Sequence, residues 1–305
     1  MPGSENRQVR FVRLSWRKIL LSVLVGVFAT GLMGCFPLKK LTIANVGMIL
    51  QDVAGASSKH TEVALIRSGT PAYLMLLDGL IEAHPKQKKL LLAGAEAYSL
   101  YATAFVAEED PETARGLYLR GKGYALRAMP RHKAFASVLR EPYDALEVYV
   151  QDFSKNDVPA LFSFASCWAG WISTSMDSVK AMADLPKVVL LMDRVIQLDE
   201  THYYGGAHLF MGVYKSARPK GYGGEPEEAR RHFDRAVEIG EGNFLMAYVY
   251  YADHYARKTL QRDLFVSLLE TALETPTDRV PELTLINTVA KSRAKELLSH
   301  VEEYF

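Results

Sequence analysis

From about Leu38 to the C-terminus, apolar residues recur at helical spacing and not in the strict alternation of strands. The run Leu90-Leu91-Leu92-Ala93-Gly94-Ala95-Glu96-Ala97-Tyr98-Ser99-Leu100-Tyr101 has this character, as do Val188 to Ile196 and Leu285 to Leu298. No Asn-Gly or Asp-Gly turn joins alternating apolar runs, so hairpin strands are not expected. Prolines 111, 142, 159, 186, 226 and 281 stand where helices are predicted to start. Asp110-Pro111-Glu112 and Glu225-Pro226-Glu227 read as first helical turns, with acids at the positive end of the helix dipole. The pattern predicts an all-α chain.

The helices carry a degenerate repeat. Ala229, Phe233 and Ala236 lie 4 and 3 residues apart, the small–aromatic–small spacing of a tetratricopeptide second helix. Ala114, Tyr118 and Gly121 repeat that spacing, and Lys187 to Asp199 is a looser copy with Met192 and Val195 as larger occupants. Gly94 and Gly212 stand where a first helix needs a small residue. The distances from Gly94 to Ala114 (20 residues) and from Gly212 to Ala229 (17) exceed the roughly 12 of a 34-residue unit. Stacked antiparallel hairpins with extended loops are therefore expected, forming a degenerate tetratricopeptide-like solenoid or bundle. Arg218 to Pro226, rich in glycine and proline, is one such loop at a predicted helix–helix turn.

Residues 1–34 differ from the rest. They hold Arg7, Arg10, Arg13, Arg17 and Lys18 against Glu5, a net of +4, while the remaining 31 basic and 34 acidic residues give −3. Ile19 to Gly34 is an uncharged run of 16 residues, short of the roughly 20 that span a bilayer. A basic segment followed by such a run is an export-signal pattern. Leu32-Met33-Gly34-Cys35 resembles a bacterial lipobox. The resemblance implies cleavage after Gly34, a lipoprotein signal peptide over 1–34, and an acylated Cys35 opening a single domain over 35–305. Several acyl chains anchor durably at about 0.8 kcal/mol per buried methylene. Phe36, in place of Asp, favours the outer membrane by analogy with enterobacterial sorting.

Over the whole chain, 36 Lys+Arg balance 35 Asp+Glu, and 49% of residues are apolar, which excludes disorder. Without a basic excess, nucleic acid is not an expected partner. Two cysteines make no disulfide scaffold. With Cys35 acylated only Cys167 remains, in the apolar setting of an inert buried thiol. There is no Gly-x-Ser-x-Gly, His-Glu-x-x-His or phosphate-binding loop, and the eight histidines are scattered. His202 and His208, six apart, fall on different faces of one helix, so no metal or cofactor is expected. A helical hydrolase with two distant carboxylates stays open as an alternative.

Aromatic residues are the more informative candidates. Trp168 and Trp171 share a helix face, with Phe164 a turn earlier; Tyr203-Tyr204 opens a helix; Tyr251 and Tyr255 crowd another. Such stripes serve either core packing between hairpins or the wall of a groove or pore. His208 and Asn287 join them as candidate lining residues. Asn287, an amide in an apolar run, needs partners if buried, and a structural hydrogen-bonded role is the alternative.

Trp168-Ala169-Gly170-Trp171-Ile172, Leu185-Pro186-Lys187-Val188, Met192 to Asp199, Tyr204-Gly205-Gly206-Ala207-His208, Gly223-Gly224 and His232 to Ala236 follow one another in the order of the TRAP transporter T-component (TatT) family, which the chain resembles. Tyr250 to Ala256, Asp263-Leu264-Phe265, Leu285 to Ala294 and Tyr304-Phe305 continue the resemblance, which spans about 85–305. Asp253-His254 stands where arginine is common in that family. The resemblance implies a non-enzymatic periplasmic lipoprotein, a homotrimer with a pore-like opening in each protomer. It would associate with the solute-binding P-component of a tripartite ATP-independent transporter and help to pass a hydrophobic or organic-acid ligand. An envelope-assembly lipoprotein of similar architecture is the alternative.

Overall fold

Helices make up all the regular structure among the described residues, which in this computed structural model are 52–218, 221 and 224–305. The 1–34 segment, Cys35 and Gly223 lie outside them. We number the helices α1 (Val63–Ala83), α2 (Lys88–Tyr101), α3 (Pro111–Ala128), α4 (His132–Val138), α5 (Tyr143–Tyr149), α6 (Val158–Ser173) and α7 (Val179–Asp199). There follow α8 (His202–Ser216), α9 (Pro226–Ile239), α10 (Leu245–Tyr251), α11 (Arg262–Glu274), α12 (Thr284–Ser299) and α13 (Val301–Tyr304).

The starts follow the expected chemistry in most cases. Asp110 caps α3 by accepting from the Thr113 N–H at 3.0 Å, with Pro111 in the first turn. Pro226 opens α9 with Glu227 and Glu228 beside it. Pro186 is an exception: it lies inside α7, not at its start. Ser178 already caps that helix through the Ala181 N–H at 3.3 Å. Buried Val188, Leu191, Met192 and Val195 hold it in place beyond the proline, so packing outweighs the lost backbone bond.

Hairpins stack along the chain. α2 packs on α3, α6 on α7, α8 on α9 and α10 on α11, while α3 also packs on α6 and α7 on α8. Small residues permit the close approaches: a Cβ at Gly212 would come within 2.9 Å of the Phe233 ring, and one at Gly170 would overlap Tyr118. Ala229, Phe233 and Ala236 are all fully buried. The array then returns on itself. Val63, Ile66, Tyr101 and Phe105 pack into the core formed by α9 to α12. Arg293 of α12 bonds the Thr103 carbonyl at 3.2 Å and pairs with Glu108 at 2.5 Å.

Two hairpins share a feature that periodicity did not reveal. α2 and α10 each run into a five-residue π-helix, Ala102–Val106 and Ala252–Ala256. Each is closed by a bond spanning five residues, from Ala107 N–H to the Ala102 carbonyl (2.8 Å) and from Arg257 N–H to the Ala252 carbonyl (2.9 Å). Both follow the same sequence, a tyrosine three residues before a Tyr-Ala pair and an aromatic three beyond it: Tyr98, Tyr101-Ala102, Phe105 and Tyr248, Tyr251-Ala252, Tyr255. The extra residue in each turn redirects the chain, a device common near functional sites.

Candidate functional site

The start of α8 is the most strained backbone among the described residues. Tyr203, Tyr204 and Gly205 are all left-handed, with φ of 50°, 55° and 76°. A left-handed conformation costs an L-residue about 1–2 kcal/mol, so two successive tyrosines there must be held by their surroundings. The expectation that His202 and His208 lie on different faces of one regular helix fails for this reason: the reversed segment stands between them.

Glu200 braces the segment from the end of α7. Its Oε2 accepts from His208 Nε2 at 3.1 Å and from Arg235 Nε at 3.1 Å, and its Oε1 accepts from Arg235 Nη2 at 2.6 Å. The Arg235 and His208 donors pull the Glu200 carboxyl down to about 2. Gly205 completes the brace, because a Cβ there would lie 3.2 Å from the Ala236 Cα. His208 is buried, and its Nδ1 lies 2.9 Å from His232 Nδ1. A carboxylate only accepts, so His208 carries its proton on Nε2 and its Nδ1 accepts from His232. Burial, with the neighbouring imidazole, lowers His232 to about 4. His208 is thus a brace and not a lining residue.

The strain aims the two tyrosines. Tyr203 lies 5.5 Å from the Phe162 ring and 6.2 Å from Phe244, and Tyr204 lies 5.9 Å from Phe244. Tyr203 is nevertheless 47% exposed. Surrounding protein still raises its phenol to about 12, with Glu96, Tyr204 and Tyr250 adding to the effect. Glu96 of α2 has the same character. It is exposed by area, yet desolvation raises its carboxyl. Burial raises the Tyr73 phenol of α1, and Glu96 adds to the effect.

The family model described as TRAP transporter T-component matches residues 59–305. The chain belongs to this family. It is also 24% identical over 280 residues to an "Uncharacterized protein" of Treponema pallidum (strain Nichols), covering 83% of this chain and 84% of the relative. T-components are transporter accessory proteins, and theirs is not an enzyme family. Among the described residues of this T-component, no helix is long and apolar enough to cross a membrane, and no three His, Cys, Asp or Glu side chains cluster as metal ligands.

The remaining candidates of this T-component lie elsewhere. Trp168 is buried, with the Lys122 ammonium 4.2 Å from its ring centroid; Trp171 and Phe164 stand 5.6 and 5.7 Å from the same ammonium. Burial lowers Lys122 to about 8. Tyr251 stacks on Phe233 at 4.9 Å and donates to Asp234 at 2.9 Å, and Tyr255 packs edge-on against it at 5.4 Å. Both are core residues. Asn287 is buried with every polar atom used: Oδ1 accepts from Leu245 N–H at 3.0 Å, and Nδ2 donates to the carbonyls of Asn243 (2.9 Å) and Thr277 (3.1 Å). It is a structural amide tying α12 to the start of α10. Cys167 is buried, donates weakly to the Ala95 carbonyl at 3.7 Å, and is pushed up to about 12, which makes it inert.

Sequence reasoning passed over Glu96, Glu200 and Phe162. Glu96 had a legible signal, as the lone acid in the apolar run 90–101. The brace at Glu200 had none, since its partners lie 8 and 35 residues away.

Proposed function

We propose that this T-component is a lipid-anchored envelope scaffold that docks the solute-binding P-component of its transporter and passes ligand through its interior. The observation that carries the reading is the strained Tyr203-Tyr204 pair, held on reversed backbone with Tyr203 left 47% exposed, in a helical array whose first helices pack into the core of its last. Backbone strain of this kind is kept where it orients side chains for use. The hairpins are read as degenerate tetratricopeptide-like units, which suit protein docking. The mature chain begins at Cys35 after loss of 1–34, is acylated there, lies on the periplasmic side of the outer membrane and assembles as a homotrimer.

Crosslinking of the membrane-anchored protein, followed by capture and mass spectrometry, tests this beside a Cys35→Ala variant. Recovery of a TRAP solute-binding protein is expected, with the variant released from the membrane fraction. Recovery of outer-membrane or wall-assembly proteins in its place moves the function to envelope assembly.

A further inference from the structure

Basic residues are segregated in this chain. Residues 52–305 hold 29 Lys+Arg and 34 Asp+Glu. Ten of the 29 lie in the two segments 84–95 and 113–140, which contain no Asp or Glu. The other 19 stand among all 34 acids, so two segments at +10 contrast with a remainder at −15. The fold brings one end of each segment together. Arg127, in the last turn of α3, donates from Nη2 to the Pro85 carbonyl of the α1–α2 turn at 3.0 Å. Lys86, Lys88 and Lys89 follow Pro85, while Arg131 and Lys133 lie at the start of α4 just beyond Arg127, and all five are exposed. Arg115, Arg120 and Lys122 are committed elsewhere, to Asp177, Asp78 and the Trp168 ring.

The placement is costly. Lys88 and Lys89 open α2, whose first turn holds no acid, so they sit at the positive end of its dipole. Arg131 pairs with Asp152 at 3.3 Å. Lys86, Lys88, Lys89 and Lys133 make no hydrogen bond or ion pair with any described residue. Like charges gathered at one end repel one another, and an anionic surface outside the molecule relieves that repulsion. The residue types say which surface. Protein interfaces are depleted in lysine and centred on aromatic or apolar anchors. This end is lysine-rich, and no large apolar side chain is exposed within 84–89 or 127–133. Flexible, unanchored lysines suit a diffuse array of phosphates, which in an envelope-associated transport system is a lipid headgroup layer.

We infer that this basic end of the hairpin array is a contact surface for anionic phospholipid membranes. An anionic bilayer attracts this end and repels the remainder at −15, so contact also orients the molecule. The inference goes beyond receptor docking and does not depend on it.

The test incorporates the full-length chain from detergent into preformed vesicles of phosphatidylcholine, alone or mixed with phosphatidylglycerol. A water-soluble acetylating reagent marks accessible amines, and mass spectrometry reads each lysine. On the mixed vesicles, labelling of Lys86, Lys88, Lys89 and Lys133 is expected to slow at least about threefold relative to phosphatidylcholine alone. Lys155, Lys180 and Lys295, exposed on other elements, keep their rates. High salt removes the difference, because the attraction is screened. A variant combining Lys86→Gln, Lys88→Gln and Lys89→Gln, all at exposed positions, keeps its Tm and loses at least about half of the protection at Lys133. Equal labelling of the four lysines on the two kinds of vesicle overturns the inference, as does slowing shared equally by the three reference lysines. Protection that appears only when a solute-binding protein is added also overturns it, and gives this end to an acidic protein face.

Discussion

Tyr203-Tyr204 and Tyr251-Tyr255 are two tyrosine pairs on first helices of adjacent hairpins, and the protein treats them in opposite ways. Tyr251 and Tyr255 sit on relaxed backbone, with φ near −62° at Tyr251, and are 4% and 6% exposed. One stacks on Phe233 and satisfies its hydroxyl at Asp234. Tyr203 and Tyr204 sit on reversed backbone, and Tyr203 remains 47% exposed. The first pair is there for what it fills. The second is maintained against a conformational cost, and its bracing by Glu200, His208, His232 and Arg235 shows where that cost is offset. Aromatic residues that stabilise a fold and aromatic residues that the fold must stabilise are distinguished by backbone and accessibility, not by type.

The sharpest way to break the comparison is to unload the relaxed pair. Phe233→Ala removes the fully buried ring on which Tyr251 stacks, and should cost about 3–5 kcal/mol in denaturant unfolding. A loss below about 1 kcal/mol would mean that the pair is not core. On the strained side, Gly205→Ala introduces a Cβ 3.2 Å from Ala236 at a φ of 76°. It should cost about 1–3 kcal/mol in denaturant unfolding, whereas Gly240→Ala, at a φ of −73°, serves as a milder control.

Acid should loosen the brace before the core. The folded His232 value of about 4 lies below its ordinary 6.5, so between these values the unfolded chain binds a proton that the folded chain refuses. Stability therefore falls as pH drops from about 6.5 to 4, and thermal melts of His232→Gln across that window should show a flatter decline. Glu200, held near 2 against an ordinary 4.5, adds a further loss as pH drops from 4.5 toward 2. Glu200→Gln should remove that second component. The smallest effect is expected from Tyr203→Phe, which keeps the ring and should change stability by less than about 0.5 kcal/mol. A larger loss would show that the hydroxyl takes part in the brace.

Much of the architecture was legible in the chain. Apolar spacing named the helices, Asp110-Pro111 and Glu225-Pro226 marked two of their starts, and Gly212 with Ala229, Phe233 and Ala236 identified one hairpin contact. The site was legible only in part. Tyr203 and Tyr204 stood out as an aromatic pair opening a helix, but so did Tyr251 and Tyr255. Pro186 read as a helix start because a local rule sees the missing N–H and not the packing that carries α7 through it.

What the sequence determined by itself is what depends on neighbours in the chain. Helix periodicity, caps, the basic start and the membership pattern of the family are all local or ordered along the backbone. Tertiary structure alone decided which tyrosines are strained, that Asn287 is fully paired, and that Glu200 braces the start of α8. Those outcomes depend on partners tens of residues away, such as Glu200 with Arg235 and Leu245 with Asn287. A side chain's solvation and counter-charge are properties of the space around it, and that space exists only once the helical array has closed.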